Sequence, residues 1–311
     1  MIKDISNRLL EITQNEQKRK FIYASVEYIE YINTLDKSID EKSLLRLNSL
    51  ASNVLKINIF IEEMYLLRSF NYYVKELRDL LLKERKRELK LNRTIKILSY
   101  SLMNVFYSMH SDFRRNYSKP KIVLFEASPA DLSEITSGEE IKKIYEILSK
   151  DSSKYFPIVR FSTNRKIFNE TIKSISINAI HFAGHSQTDG IMLLSYDWKS
   201  EILSPQDFIS FFEYTTQNIS LVYLNSCSSN VFASKIKKYK RTAFKFHKLI
   251  SFAGEIYDSQ ALRFSVEFYK NYSIVFPPIL HKILLSTKTE MSLLKDLHMQ
   301  KLIRKLTYSK R

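Results

Sequence analysis

Two rhythms of apolar residues divide the chain. Before about residue 119, apolar positions recur three and four apart, as at Ile22, Val26 and Ile29 and again at Leu66, Phe70, Tyr73, Leu77 and Leu80. That spacing places them on one face of a helix, to be buried against a neighbour. The same stretch holds none of the four glycines and none of the six prolines and is rich in Leu, Ile, Glu, Lys and Arg. Without breakers it reads as helical. Helices are predicted over 3–13, 18–33, 41–56, 59–87 and 88–110, with Asp40 as a cap whose carboxylate accepts the free amides of a first turn. Residues 1–119 are expected to form an all-α bundle suited to regulation, docking or oligomerisation. Nothing in the bundle carries the pattern of chemistry: the acidic pairs Glu27/Glu30 and Glu62/Glu63 lack the Glu-x-x-His repeat of a di-iron site.

From Pro120 the apolar runs become short and β-rich, separated by helical segments. Strands are predicted over 121–126, 156–161, 177–183, 191–195, 219–225 and 249–253. Helices fall between them over 139–149, 164–175, 204–212, from about 229, and 258–269, with one or two more after Pro278. Ser204 is an N-cap followed by Pro205 at the first helical position, where the missing amide costs nothing. Apolar strands alternating with helices argue for an α/β domain over 120–311, with a mostly parallel sheet covered by helices on both faces. Chemical sites of such sheets lie beyond the carboxyl ends of the strands.

Composition changes this picture only a little. The formal charge of +16 and the pI of about 9.6 are compatible with nucleic acid, acidic lipid or an acidic protein as partner. Lysine is spread along the whole chain, however, and the tract 83–90 reads as a solvated helix surface because Glu84 and Glu88 interrupt it. One cysteine excludes an internal disulfide and zinc-finger spacing. No window approaches a membrane span, and the N-terminus lacks the build of a signal peptide, so a cytoplasmic protein is expected.

Candidate chemistry gathers at two strand ends. Residues 177–190, INAIHFAGHSQTDG, run from an apolar strand into two histidines flanking a glycine, and residues 219–229, ISLVYLNSCSS, end a second strand on the only cysteine. Right-handed crossovers put both ends on one edge of the sheet. A cysteine alone is commonly a small buried hydrophobe, but Cys227 sits among Asn225, Ser226, Ser228 and Ser229, and a following helix N-terminus with a nearby imidazole activates a thiolate. His181 lies inside the apolar run and reads as structural, its second nitrogen on a backbone carbonyl. His185 lies beyond the strand end and is the candidate base. Gly184 would allow close backbone approach or positive φ, and the amides around Ser186 and Cys227 are candidate oxyanion donors. The His-x-x-x-His spacing lacks a third ligand, so no metal and no other cofactor is expected.

These segments resemble the CHAT-domain family, a bacterial branch of the caspase-like cysteine proteases. The resemblance rests on AIHFAGHS, LVYLNSC, the upstream KIVLFEASPADLSEITSGEEIKKIYEIL and the downstream LISFAGEIYDSQALRFSVEFY, in order, over about 121–285. It implies a caspase-like fold in which His185 is the base, Cys227 the nucleophile and Gly184 part of the motif before the histidine. It also implies a dyad whose imidazole is oriented by a backbone carbonyl. The expected function is a cysteine endopeptidase that cuts a specific partner protein, as a regulated effector of bacterial anti-phage or CRISPR-linked defence. Alternatives are a silent caspase-like scaffold or adaptor and, further off, a nucleic-acid-binding regulator. Two departures stand out: Ser186 occupies a place where many members have glycine, and 235–248 is strongly basic, either a mobile activation loop or a wet surface. A regulatory protein or complex is the expected partner, through the helical domain or this basic segment, with nucleic acid only indirect. Asp258 either salt-bridges a basic P1 side chain or caps the helix it opens; Asp207 is a weaker substrate-binding candidate, and Glu255 a further acidic one.

Overall fold

The computed structural model describes residues 6, 7, 9–11, 13–35, 40–82, 91–110, 119–150, 154–213, 218–238 and 245–271. The predicted helices after Pro278 and the tract 83–90 lie outside these, as does part of the helix predicted over 3–13. The chain separates into two compact units, one comprising Met1–Arg114 with Ser195–Lys199 and the other Arg115–Leu194 with Ser200–Arg311.

The first unit is helical: α1 (Glu16–Thr34), α2 (Glu41–Lys56), α3 (Met64–Leu82) and α4 (Leu91–His110). Asn15 and Asp40 cap α1 and α2, each side chain accepting an amide three residues on, from Lys18 at 3.0 Å and Ser43 at 2.7 Å. The periodic apolar residues are buried as the spacing requires: Ile22, Ile29, Leu66, Phe70, Tyr73 and Leu77 all lie inside. Phe21 packs edge-on to Phe70 across α1 and α3. Among the tyrosines, Tyr28 and Tyr73 belong to the core and Tyr23 and Tyr72 are exposed. Tyr196, in the 195–199 segment, packs at a tilt against Tyr72, with ring centroids 4.2 Å apart.

The second unit is α/β. In chain order it contains β1 (Lys121–Ala127), α5 (Ser137–Lys150), β2 (Phe156–Arg160), α6 (Arg165–Ser174), β3 (Ala179–Gly184), β4 (Ser186–Gln187) and β5 (Gly190–Leu194). There follow β6 (Ser200–Leu203), α7 (Pro205–Ser210), β7 (Asn218–Asn225), α8 (Ser229–Lys238), β8 (Lys245–Ser251) and α9 (Asp258–Asn271). Five strands form an all-parallel sheet in the order β2-β1-β3-β7-β8, and β4-β5-β6 form a separate antiparallel sheet. All seven residues of β1 are buried, as a strand covered on both faces demands. Alternation assigns the faces. Phe125 stacks on Phe168 of α6, which meets Phe208 of α7. On the other side, Tyr223 packs on Phe264 and Tyr269 of α9. Among the described residues no helix is long and apolar enough to cross a membrane.

Two expectations are corrected. The strand predicted over 249–253 begins earlier, at Lys245, because Lys248 continues the parallel ladder opposite Leu221 while its ammonium-bearing chain is buried. The basic segment 235–248 is therefore not one loop: Lys235, Lys237 and Lys238 close the last turn of α8, where cations favour the helix dipole, and Lys245 and Lys248 belong to β8. Residues 239–244 lie outside the described residues. The sequence reading also missed β4 and β6, which flank the predicted β5.

Candidate active site

The order of the parallel strands creates the site. From β1 the sheet grows outward in both directions, to β2 on one side and to β3, β7 and β8 on the other, so chain exits diverge at the β1/β3 boundary, the switch point at which open sheets of this kind form a crevice. The loop 128–136 after β1 and the turn after β3 border this crevice. Gly184, opposite Ala127 in the ladder, is required by close approach: a Cβ would lie 2.7 Å from the Ala127 carbonyl oxygen and 2.8 Å from the Phe182 ring. Any side chain there would push the two strand ends apart.

His185 leaves the sheet immediately after Gly184. Its Nε2 lies 2.9 Å from the carbonyl oxygen of Ser133. A carbonyl only accepts, so Nε2 carries the hydrogen and in the neutral ring Nδ1 carries the lone pair. The imidazole is thus oriented by a backbone carbonyl, in the tautomer with the hydrogen on Nε2. The carbonyl of His185 accepts the Met192 amide at 2.9 Å, which ties the residue to β5.

Cys227 follows β7 at the matching height. The β3–β7 ladder ends at Ala183 opposite Asn225, and His185 and Cys227 stand two residues further on in each chain. The hydroxyl of Ser186 donates to the Cys227 carbonyl, so the two exits are joined beyond the last ladder rung. Cys227 is half-buried. Its thiol lies 3.7 Å from the Ile256 carbonyl oxygen, a long sulfur contact in which the thiol donates. Behind it, Ser228 has φ 51°, in the left-handed region, and its amide donates to the Gly254 carbonyl at 2.8 Å. Ser229, the first residue of α8, donates to the Leu224 carbonyl and accepts the Phe252 amide, tying the start of α8 to the ends of β7 and β8. Cys227 therefore sits two residues ahead of Ser229, the first residue of α8, with the Ser228 peptide between them.

His181 is structural, but not with the partner expected. Its Nε2 donates to the carboxylate of Glu140 on α5 at 2.8 Å rather than to a backbone carbonyl, with both residues buried. The same carboxylate oxygen accepts the Asn225 side-chain amide at 2.7 Å, and that amide also reaches Ser265 and the Ala261 carbonyl of α9. The His181 ring stacks on Tyr223 at 4.7 Å between ring centroids. This brace ties α5, β3, β7 and α9 together just beneath the two exits. Sequence reasoning missed it, assigning Glu140 no partner. The available signal was that Glu140 falls on the same face as Ile144 and Leu148, all three buried.

Asp258 and Asp207 are both engaged. Asp258 opens α9, and its carboxylate accepts the Thr136 amide at 3.0 Å, fastening the end of the loop that carries Ser133. Asp207 sits in the first turn of α7, next to its cap Ser204, and pairs with Arg165 at 3.1 Å. That pairing and the Ser204 hydroxyl hold its carboxyl below the usual carboxylate range against the opposing effect of partial burial. Arg165 also grips Glu201 at 2.7 Å, so Asp207 serves a surface cluster joining α6, β6 and α7. Glu255 is exposed beside Gly254. Among the described residues no group of three or more His, Cys, Asp or Glu is placed to hold a metal ion. Compared with known proteins, the chain matches no protein-family model and no curated protein.

Proposed function

We propose that the chain is a cysteine endopeptidase of the CHAT type, with a caspase-like second unit in which His185 and Cys227 form the catalytic dyad. The observation that carries the reading is the orientation of His185 by the Ser133 carbonyl, at a strand exit whose next residue is bonded to the cysteine's own carbonyl. In the proposed reaction Nδ1 of His185 takes the thiol proton and Sγ attacks the scissile carbonyl carbon. This requires the thiol to turn from the Ile256 carbonyl toward the imidazole. The oxyanion is received by the amide of Cys227, which donates no hydrogen bond among the described residues, together with that of Ser186. The imidazolium then protonates the leaving amine, giving a thioester. Water, deprotonated by Nδ1, hydrolyses it and frees the thiol.

The substrate is a partner protein cut at a basic residue, with Asp258 supplying negative charge near P1. The biological setting is that of a regulated effector in bacterial defence, held inactive until a partner engages it. Comparison of protein N-termini in cells expressing the wild type and the Cys227→Ala variant tests this. New N-termini confined to the wild type, and lost in His185→Ala, are expected; identical sets in all three would overturn the reading.

A further inference from the structure

The peptide that joins Cys227 to Ser228 is held at both ends. Its carbonyl oxygen accepts the Ser186 hydroxyl, and its N–H donates to the Gly254 carbonyl at 2.8 Å. The residue it leads into, Ser228, has φ 51°, a backbone conformation that residues other than glycine persist in only when their surroundings enforce it. A peptide gripped at one end can rotate, changing ψ of Cys227 and φ of Ser228 in concert; gripped at both ends it cannot. From this geometry we infer that Ser186 is a positioning residue, whose hydroxyl clamps the Cys227–Ser228 peptide against the Gly254 carbonyl and so fixes where the nucleophile points. The inference rests on the reading of His185 and Cys227 as a dyad.

Three features support the assignment. The backbone ladder between β3 and β7 has already ended at Ala183 and Asn225, so the link between the exits at this height comes from a side chain. Only a residue with a donor at position 186 makes it; glycine, the residue expected there from the resemblance, does not. The clamp also spends the Ser228 amide on Gly254, leaving the amide of Cys227 rather than its neighbour's to face a developing oxyanion. Gly254 has φ 91° and open space around it, so the second jaw is a loop held by its own backbone conformation rather than by packing.

Cys227 is the only thiol in the protein, so alkylation by iodoacetamide reports this one atom. The test is the rate of alkylation of the full chain as a function of pH, in the wild type and in Ser186→Ala, Ser186→Thr and His185→Ala, with thermal unfolding followed in parallel. Ser186→Ala is expected to lower the rate near neutral pH about tenfold, since small displacements of a reacting group cost factors of this order or more. Its pH profile moves toward that of His185→Ala while the unfolding temperature holds, and Ser186→Thr, which keeps the hydroxyl, retains the wild-type profile. Ser186→Gly repeats the measurement with the side chain removed entirely, should the alanine variant be unstable. If Ser186→Ala and Ser186→Gly match the wild type while His185→Ala does not, the clamp is overturned and the dyad stands. If His185→Ala also matches the wild type, the dyad falls and the clamp's role falls with it.

Discussion

At the scale of single residues, the site depends on polar atoms whose partners come from far along the chain. Glu140 accepts from both His181 and Asn225 with almost no exposure. Glu140→Ala would strand a ring N–H and redirect an amide in a dry interior, at roughly 2–5 kcal/mol. We expect a large drop in unfolding temperature by calorimetry, with loss of Cys227 reactivity only in proportion to unfolding; an unchanged melting curve would show that the brace contributes nothing. The pair proposed as the dyad was legible in the sequence because His185 and Cys227 follow apolar runs and sit in polar surroundings. Their orienting partners were not. Ser133, Gly254 and Ile256 act through backbone carbonyls, which leave no side-chain signature, and their placement depends on loops bordering the crevice. Neither reading left open for Asp258, a salt bridge to a basic P1 side chain or a cap on its own helix, anticipated that its carboxylate reaches Thr136, 122 residues away in the chain.

At the scale of elements, periodicity located most helices and strands, and caps sharpened their ends. Ser204 caps α7 by accepting the Asp207 amide, as predicted, and Asn164 does the same for α6. Asp40→Ala is expected to destabilise the start of α2, seen as earlier fraying of the α2 amides in hydrogen exchange; equal protection in both proteins would contradict it. The short strands β4 and β6 escaped prediction because two and four residues carry too little alternation to register. β8 was cut short because three of its seven residues are basic, and a buried lysine contradicts the usual pattern. Burial pushes the Lys248 ammonium down to about 8 from its ordinary 10.5. Between those values the unfolded chain binds more protons than the folded one, so this residue makes the fold more stable as pH rises from 8 to 10.5. Lys248→Met should then raise stability at pH 7, on the order of 1 kcal/mol, with a gain that shrinks toward pH 10. A gain that grows with pH, or a loss at neutral pH that persists at high pH, would contradict the assignment.

At the scale of the whole molecule, charge is unevenly placed. The chain carries 49 Lys and Arg against 33 Asp and Glu, yet the loops at the carboxyl edge of the sheet (128–136, 161–164, 185–189, 226–228 and 252–257) contain no Lys or Arg. They hold Asp131, Glu134, Asp189 and Glu255, with Asp258 directly after. Lys235 reaches in from α8 to the Thr188 carbonyl and Asp189. Asp258→Asn keeps an acceptor for the Thr136 amide and removes the charge. On the proposed reading it lowers kcat/KM for a lysine or arginine substrate by about tenfold or more while leaving a neutral isostere unaffected. Equal losses on both substrates would instead assign Asp258 to the support of loop 128–136.

The most direct test of the dyad is the labelling of Cys227 by a peptidyl acyloxymethyl ketone carrying lysine next to the reactive carbonyl, followed by intact mass. One adduct on Cys227 is predicted in the wild type, with a rate at least about a hundredfold lower in His185→Ala, in line with the worth of a positioned general base. Equal labelling of the two proteins would mean that His185 does not activate Cys227, and the account of this site as a peptidase would be wrong.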